Sequence, residues 1–220
     1  MANSDDFKLY ILKNAIVRNY EDIRDALEID ETFIRDLIKE GVLSEKAGID
    51  YINNIQQRSK KKNIKSVLMK EILNSNNVNV VQNFVNILEK KPLLKQYIDH
   101  GIYDAEADLY NGALQMSFET FSQYVRFNGS TLILHLVSEC VLNIDEMELI
   151  DIKPTQVSKC TELFQILLRK GDKLPTVVAV LRKCGNDRVA EEILTNLTKS
   201  SQVLDQKTKR TLQDKIFLGL

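Results

Sequence analysis

Tryptophan is missing from these 220 residues, and histidine and proline are scarce, at two and three. Only eight glycines add to the chain breakers. A β-sandwich or barrel needs frequent turn residues, so this scarcity favours long helices, and Leu and Ile dominate the apolar 44%. No apolar run approaches the roughly 20 residues of a membrane span. Met1 to Asp6 is polar and acidic, unlike a secretory or mitochondrial signal. The three cysteines, Cys140, Cys160 and Cys184, are odd in number and widely spaced. They argue against a disulfide framework and for a reducing, cytoplasmic setting. There the glycosylation-like triplets at Asn128 and Asn196 are chance matches. No CxxC, HExxH, glycine-rich phosphate loop or paired-carboxylate motif occurs, and three scattered Cys with two distant His make no zinc site. His135, among Leu132, Ile133, Leu134 and Leu136, reads as an ordinary helix residue. Cys140 and Cys160 read as small hydrophobes on apolar helix faces. The expectation is a protein that is not an enzyme and carries no cofactor or metal.

What remains is helical periodicity. Phe7 to Arg24 carries Phe7, Tyr10, Ile11, Asn14 and Ala15 at helical spacing. A second helix runs from Glu31 to Glu40 with Phe33, Ile34, Leu37 and Ile38, stopped by Gly41. Ser44 caps a third, through Ile52 and Ile55. A basic stretch leads into a fourth, with Ile64, Val67, Leu68 and Ile72. After the polar turn Asn74 to Asn77, a fifth carries Val78, Val81, Phe84, Val85 and Leu88. Pro92 starts a short sixth, with Leu94, Tyr97 and Ile98, expected to stop near Gly101.

The same order recurs. Phe118 to Phe127 is a first helix, broken at Asn128-Gly129, and Ser130 caps a second, Leu132 to Val141. Asn143 caps a third with Met147 and Ile150. The fourth has the cleanest stripe: Val157, Cys160, Leu163, Phe164, Leu167 and Leu168, ended by Gly171. Pro175 suits the first turn of a fifth with Val177, Val178 and Leu181, closed by Gly185. Asp187 caps a sixth with Val189, Ile193 and Leu197. Ile38 to Leu43 aligns with Val137 to Leu142, and Ile87 to Lys90 with Val180 to Lys183. The expected organisation is all-α. A first six-helix antiparallel bundle spans 1–101, and a linker or the start of the next helix spans 102–115. A second bundle spans 116–199, and a tail at 200–220 could form one more helix through Val203, Leu204, Leu212, Ile216 and Phe217. Each bundle is of ordinary domain size.

The short helices joined by Glu40-Gly41-Val42-Leu43 and Glu139-Cys140-Val141-Leu142 resemble the caspase recruitment domain, of the death-fold superfamily. The run Leu167-Leu168-Arg169-Lys170-Gly171, leading to Leu181-Arg182-Lys183-Cys184-Gly185, carries the likeness best. Pro92 and Asn74 to Asn77 depart from the pattern, leaving a death-effector or death domain open for the first module. The resemblance implies Greek-key-like six-helix bundles and homotypic association. It implies as partners initiator caspases, apoptosome-type adaptors or innate-immune adaptors, with self-association a further expectation. Such a chain would act as adaptor or decoy inhibitor in apoptosis or innate immunity. A helical-repeat scaffold binding a peptide is the alternative.

Net charge is −1, so no global field draws the chain to nucleic acid or an anionic membrane. The charges are nevertheless segregated. Residues 1–50 hold 7 basic and 12 acidic side chains, and residues 51–100 hold 9 and 3. Asp25, Glu28, Asp30, Glu31, Asp36 and Glu40 gather around the second helix, and Arg58, Lys60, Lys61, Lys62 and Lys65 at the start of the fourth. Acidic and basic faces of this kind dock head to tail. The resemblance assigns Asp36 and Glu40 the acidic role and Arg18, Arg24, Arg58 and Lys61 the basic one. The second module offers Asp145, Glu146, Glu148 and Asp151 against Lys159, Arg169, Lys170, Lys173, Arg182 and Lys183. The run from Arg58 to Lys62 holds no aromatic residue on which a base could stack, which speaks against nucleic acid.

Overall fold

The computed structural model describes the backbone of residues 4–56, 61–127 and 131–218, and the side chains of these except residues 4, 61–63, 205 and 207–218. Among the described residues every regular element is helical. In order these are α1 (Ser4–Arg18), α2 (Tyr20–Ala26), α3 (Glu31–Lys39), α4 (Glu45–Gln56), α5 (Lys61–Asn74), α6 (Val78–Glu89) and α7 (Pro92–Met116). Then follow α8 (Phe118–Tyr124), α9 (Thr131–Ser138), α10 (Ile144–Asp151), α11 (Gln156–Leu168), a 3-10 turn (Gly171–Lys173), α12 (Leu174–Lys183) and α13 (Asp187–Leu218). The chain divides into two compact units, built mainly from residues 2–105 and 106–204.

In the first unit α1 packs on α6, α3 on α4 and α6, and α5 on α2, α4 and α6. Tyr20, Ile23, Leu27, Ile34, Leu37, Leu68, Met69, Ile72, Phe84 and Leu88 form the core. The expected stripes go inward with one exception: Val67 is exposed, and Met69 and Leu73 fill the inner face of α5 instead. Asn14 keeps its place in the core because its amide donates to the Tyr10 carbonyl at 3.0 Å, four residues back.

The first helix does not run unbroken from Phe7 to Arg24. It splits at Asn19, whose amide donates to the Tyr97 carbonyl at 2.9 Å. Nor does the sixth stop at Gly101: α7 continues to Met116, through the stretch read as a linker. Its buried residues Leu94, Ile98, Gly101, Ala105, Leu109 and Ala113, with Leu114 beside the last, recur every three or four positions. Gly101, Ala105 and Ala113 are too small to register as an apolar stripe. Gly101 is a packing notch, since a Cβ there would lie 2.5 Å from the Ala15 carbonyl oxygen and 2.7 Å from its Cα.

In the second unit Phe121, Leu132, Leu136, Ile150, Cys160, Leu163, Leu167, Leu181, Val189 and Ile193 form the core. Phe164 takes the edges of Phe118 and Phe121 at 4.7 and 5.5 Å between ring centroids. Val157 leaves the expected stripe and is exposed. A break at Ser117 precedes α8, as Asn19 precedes α2. Both short helices end on an extended residue, Leu27 or Val125, so α8 stops before the expected Phe127. Gly112 is a second notch, where a Cβ would run into the Ser200 hydroxyl. The expected tail helix is no separate element, because α13 runs on from Asp187 to Leu218. Ser130, read as a cap, lies outside the described residues, as does Asn128. Asn196 is buried, with its amide donating to the Ser117 hydroxyl at 3.0 Å and its carbonyl accepting from Lys199.

The aligned hexapeptides adopt one geometry. Gly41 has φ +70°, Val42 N–H donates to the Leu37 carbonyl at 2.8 Å and Gly41 N–H to Ile38 at 3.0 Å. Cys140 has φ +55°, with Val141 donating to Leu136 at 2.9 Å and Cys140 to Val137 at 3.0 Å. Each is a Schellman close, which requires a left-handed residue. Cys140 therefore stands exposed after the end of α9, not on an apolar face, and α9 ends before the expected Val141. Gly185, at φ +75°, closes α12 the same way.

Candidate interaction surface

The first unit separates its charges only in part. Asp36 lies on α3 and Glu40 is the residue that caps its end; Asp36, Arg35 and Lys39 border an open groove whose far wall, on α4, is Glu45, Ile49 and Ile52. The Asp30 carboxylate caps α3 by accepting from Phe33 N–H at 2.8 Å. Glu28 is exposed before that cap. Asp25 pairs with Arg24 at 3.0 Å, and its carbonyl accepts from Lys65 at 3.3 Å. Arg24 also meets Glu21. Arg18 pairs with Asp104 at 3.9 Å. The structure thus gathers Arg24, Asp25 and Lys65 where α2 meets α5. Arg58 and Lys60 lie outside the described residues, as do the side chains of Lys61 and Lys62.

The second unit spends most of its expected docking charges internally. Lys170 donates to Glu146 and, at 2.8 Å, to the Val141 carbonyl. Glu146 also completes a capping box, accepting from Asn143 N–H at 2.9 Å while the Asn143 side chain accepts from Glu146 N–H at 2.8 Å. Burial works against the Glu146 carboxylate, but the Lys170 ammonium and the Asn143 N–H hold it below its usual pKa. Lys159 pairs with Asp151 at 3.4 Å, Lys153 with Glu162 at 2.9 Å, Lys173 with its neighbour Asp172, and Arg182 with Glu191. Asp145, Glu148, Arg169 and Lys183 have no ion pair among the described residues.

Sequence reasoning missed Asn186. It is buried in the turn before α13, in the cap position assigned to Asp187. Its side chain accepts from Arg126 N–H at 2.8 Å and donates to the Arg126 carbonyl at 3.1 Å. Beside it Arg188 stacks 3.6 Å over the Tyr124 ring. A Gly-Asn-Asp sequence after a helix signals a turn but says nothing of a partner 60 residues away.

Among the described residues no constellation for catalysis comes together. Burial pushes the Cys160 and Cys184 thiols up, away from the reactive thiolate. His100 pairs with Asp104 at 3.8 Å on the surface. Among the described residues no group of His, Cys, Asp and Glu could hold a metal ion, and no helix is long and apolar enough to cross a membrane.

No curated protein and no solved structure gives a significant match to the chain. The family model for the caspase recruitment domain matches residues 114–196, which run from the last turn of α7 through α8 to α12 and into α13. Recruitment domains are interaction modules that bind other recruitment-domain proteins, and they are not catalytic. Residues 114–196 of this all-helical chain are a caspase recruitment domain, a member of the death-fold superfamily.

Proposed function

We propose that the chain is a non-enzymatic cytoplasmic interaction protein that regulates caspase activation or innate immune signalling through homotypic contacts, as adaptor or decoy inhibitor. Its partners are recruitment-domain proteins: an initiator caspase, an apoptosome-type adaptor or an innate-immune adaptor. The observation that carries the reading is the family match over residues 114–196. Residues 1–101 form a second bundle of the same kind. Supporting this are the broken first helix and the Schellman close that recur in both units. In the first bundle Asp36 and Glu40 supply an acidic docking face. Arg18, Arg24 and Lys65, with the run from Arg58 to Lys62, supply a basic one. Docking charges of this kind act mainly on encounter rate and selectivity, so binding weakens with salt.

A pull-down of the full chain against a panel of caspase and adaptor recruitment domains tests the reading, repeated with Asp36→Lys. Capture of at least one panel member, reduced severalfold by the substitution, is expected. Capture of none refutes homotypic function, and capture unaltered by Asp36→Lys refutes the acidic role of α3.

A further inference from the structure

In the second unit α13 is tied to α7 by short polar side chains. Asn196, Ser200 and Ser201 are all buried. The Asn196 amide donates to the Ser117 hydroxyl at 3.0 Å, and that hydroxyl donates in turn to the Ala113 carbonyl at 2.8 Å. The Ser200 hydroxyl donates to the Leu109 carbonyl at 3.2 Å, across 91 residues. It fills the space where Gly112 lacks a Cβ, so the two helices come together at a glycine. Position 196 meets 117 while 200 meets 109 and 112, so this part of α13 lies antiparallel to α7.

Nearer its start α13 is held differently. Val189, Ala190 and Ile193 sit in the apolar core, with Leu194 and Leu197 half-buried against it. From Asn196 on, every fully buried side chain among the described residues is polar, and Val203 is exposed. Glu192 and Lys199 complete the bonding of the Asn196 side chain, one accepting from its amide and the other donating to its carbonyl. Apolar groups that separate must be hydrated at a cost, whereas polar groups that separate regain hydrogen bonds from water. A polar seam over small residues therefore holds a helix in one register and lets it go at low cost. Leu109 and Gly112 on one side, and Ser200 and Ser201 on the other, also lie outside residues 114–196 that match the family model.

We propose that α13 from Asn196 on is a releasable clasp across the ends of the recruitment domain, with Asn196 as its latch. It comes off α7 as one piece while Val189, Ala190 and Ile193 stay in the core. Opening uncovers Leu109 and Gly112 of α7. It also frees Ser117, the residue at which α8 begins, from the Asn196 amide. The clasp thus couples the state of the C-terminal helix to the start of the bundle, and it does so ahead of any loss of the core.

Thiol labelling of the full, folded chain carrying Ser200→Cys provides the test. Two native cysteines are built-in references: Cys140 is exposed, and Cys160 is buried in the core. Each rate is divided by the rate of the same thiol in the denatured chain. The introduced thiol then reacts about a hundredfold faster than Cys160 and about tenfold slower than Cys140. Asn196→Ala, which removes the latch, speeds its labelling about threefold and leaves the Cys160 rate unchanged. Asn196→Leu with Ser117→Ala, which makes the latch apolar, slows it about tenfold without lowering the melting temperature. Labelling at the Cys160 rate means that the helix leaves only when the bundle unfolds, and overturns the proposal. Labelling at the Cys140 rate means that nothing is closed, and overturns it too. A rate indifferent to both changes at Asn196 assigns the reaction to fraying of the helix end and rejects the clasp.

Discussion

The two units repeat their turns and differ in what they do with charge. Both break the first helix, at Asn19 and Ser117, and both close a helix on a left-handed residue, Gly41 or Cys140. Yet the ion pairs of the second unit, such as Glu146 with Lys170 and Lys153 with Glu162, join different elements of its bundle. Of those in the first, Arg24 with Glu21 and Arg35 with Glu31 stay within one helix, and Arg18 with Asp104 joins α1 to α7. The lesson is that a charge cluster in a sequence says little about docking until its internal partners are known. α4 and α10 show the same contrast in apolar surface: α4 exposes Ile49 among polar neighbours, and α10 exposes Ile144 and Leu149 with Ile152 just beyond its end.

The largest effect that would sharpen this comparison is at the two helix notches. Gly101→Ala forces a Cβ against the backbone of Ala15 and is expected to cost about 3 kcal/mol. Gly112→Ala meets only the Ser200 side chain, which can turn away, and should cost about 1 kcal/mol. Urea unfolding monitored by circular dichroism measures both, and equal costs would contradict the difference in packing. Next comes Asn186→Ala, which strips both partners from the Arg126 backbone and is expected to cost about 2 kcal/mol. Hydrogen exchange at the Arg126 amide should rise with it.

A smaller effect separates the units by pH. The Glu146 carboxylate is held below its ordinary pKa in the folded state. Its contribution is therefore present above the unfolded-state pKa and lost as pH falls through the folded one. Glu146→Gln should remove about 1 kcal/mol near neutral pH and flatten the acid limb of the stability curve. A parallel loss at every pH would contradict the ion pair as its origin. Smallest of all, Cys140→Gly relieves a left-handed side chain and should stabilise by about 0.5 kcal/mol. The reverse, Gly41→Ala, should destabilise by about 1 kcal/mol. Thermal melts of the two variants should shift in opposite directions.

Much of the fold was legible because bulky residues recur at helical spacing. Leu163, Phe164 and Leu167 announce α11, and Pro92, Pro175, Gly41 and Gly185 mark ends where the structure has them. The errors have physical causes. α7 was cut short because glycine and alanine line its buried face, so the stripe is visible only as close packing. Cys140 was read as core because its neighbours are apolar, while its place is fixed by a backbone turn that glycine would normally mark. Of the candidate surface, Asp36 on α3 and Glu40 at its C-terminal cap were legible as half-exposed and exposed acids. Glu146 and Lys170 were not legible as a pair, because 24 residues separate them and only the packing of α10 against α11 joins them.

Titration of the full chain with a recruitment-domain partner, by calorimetry from low salt to about 0.5 M, tests homotypic docking most directly. Charge-led docking predicts saturable binding of fixed stoichiometry that weakens at least tenfold over that range. Affinity indifferent to salt, or heat absent with every recruitment domain tried, would contradict it.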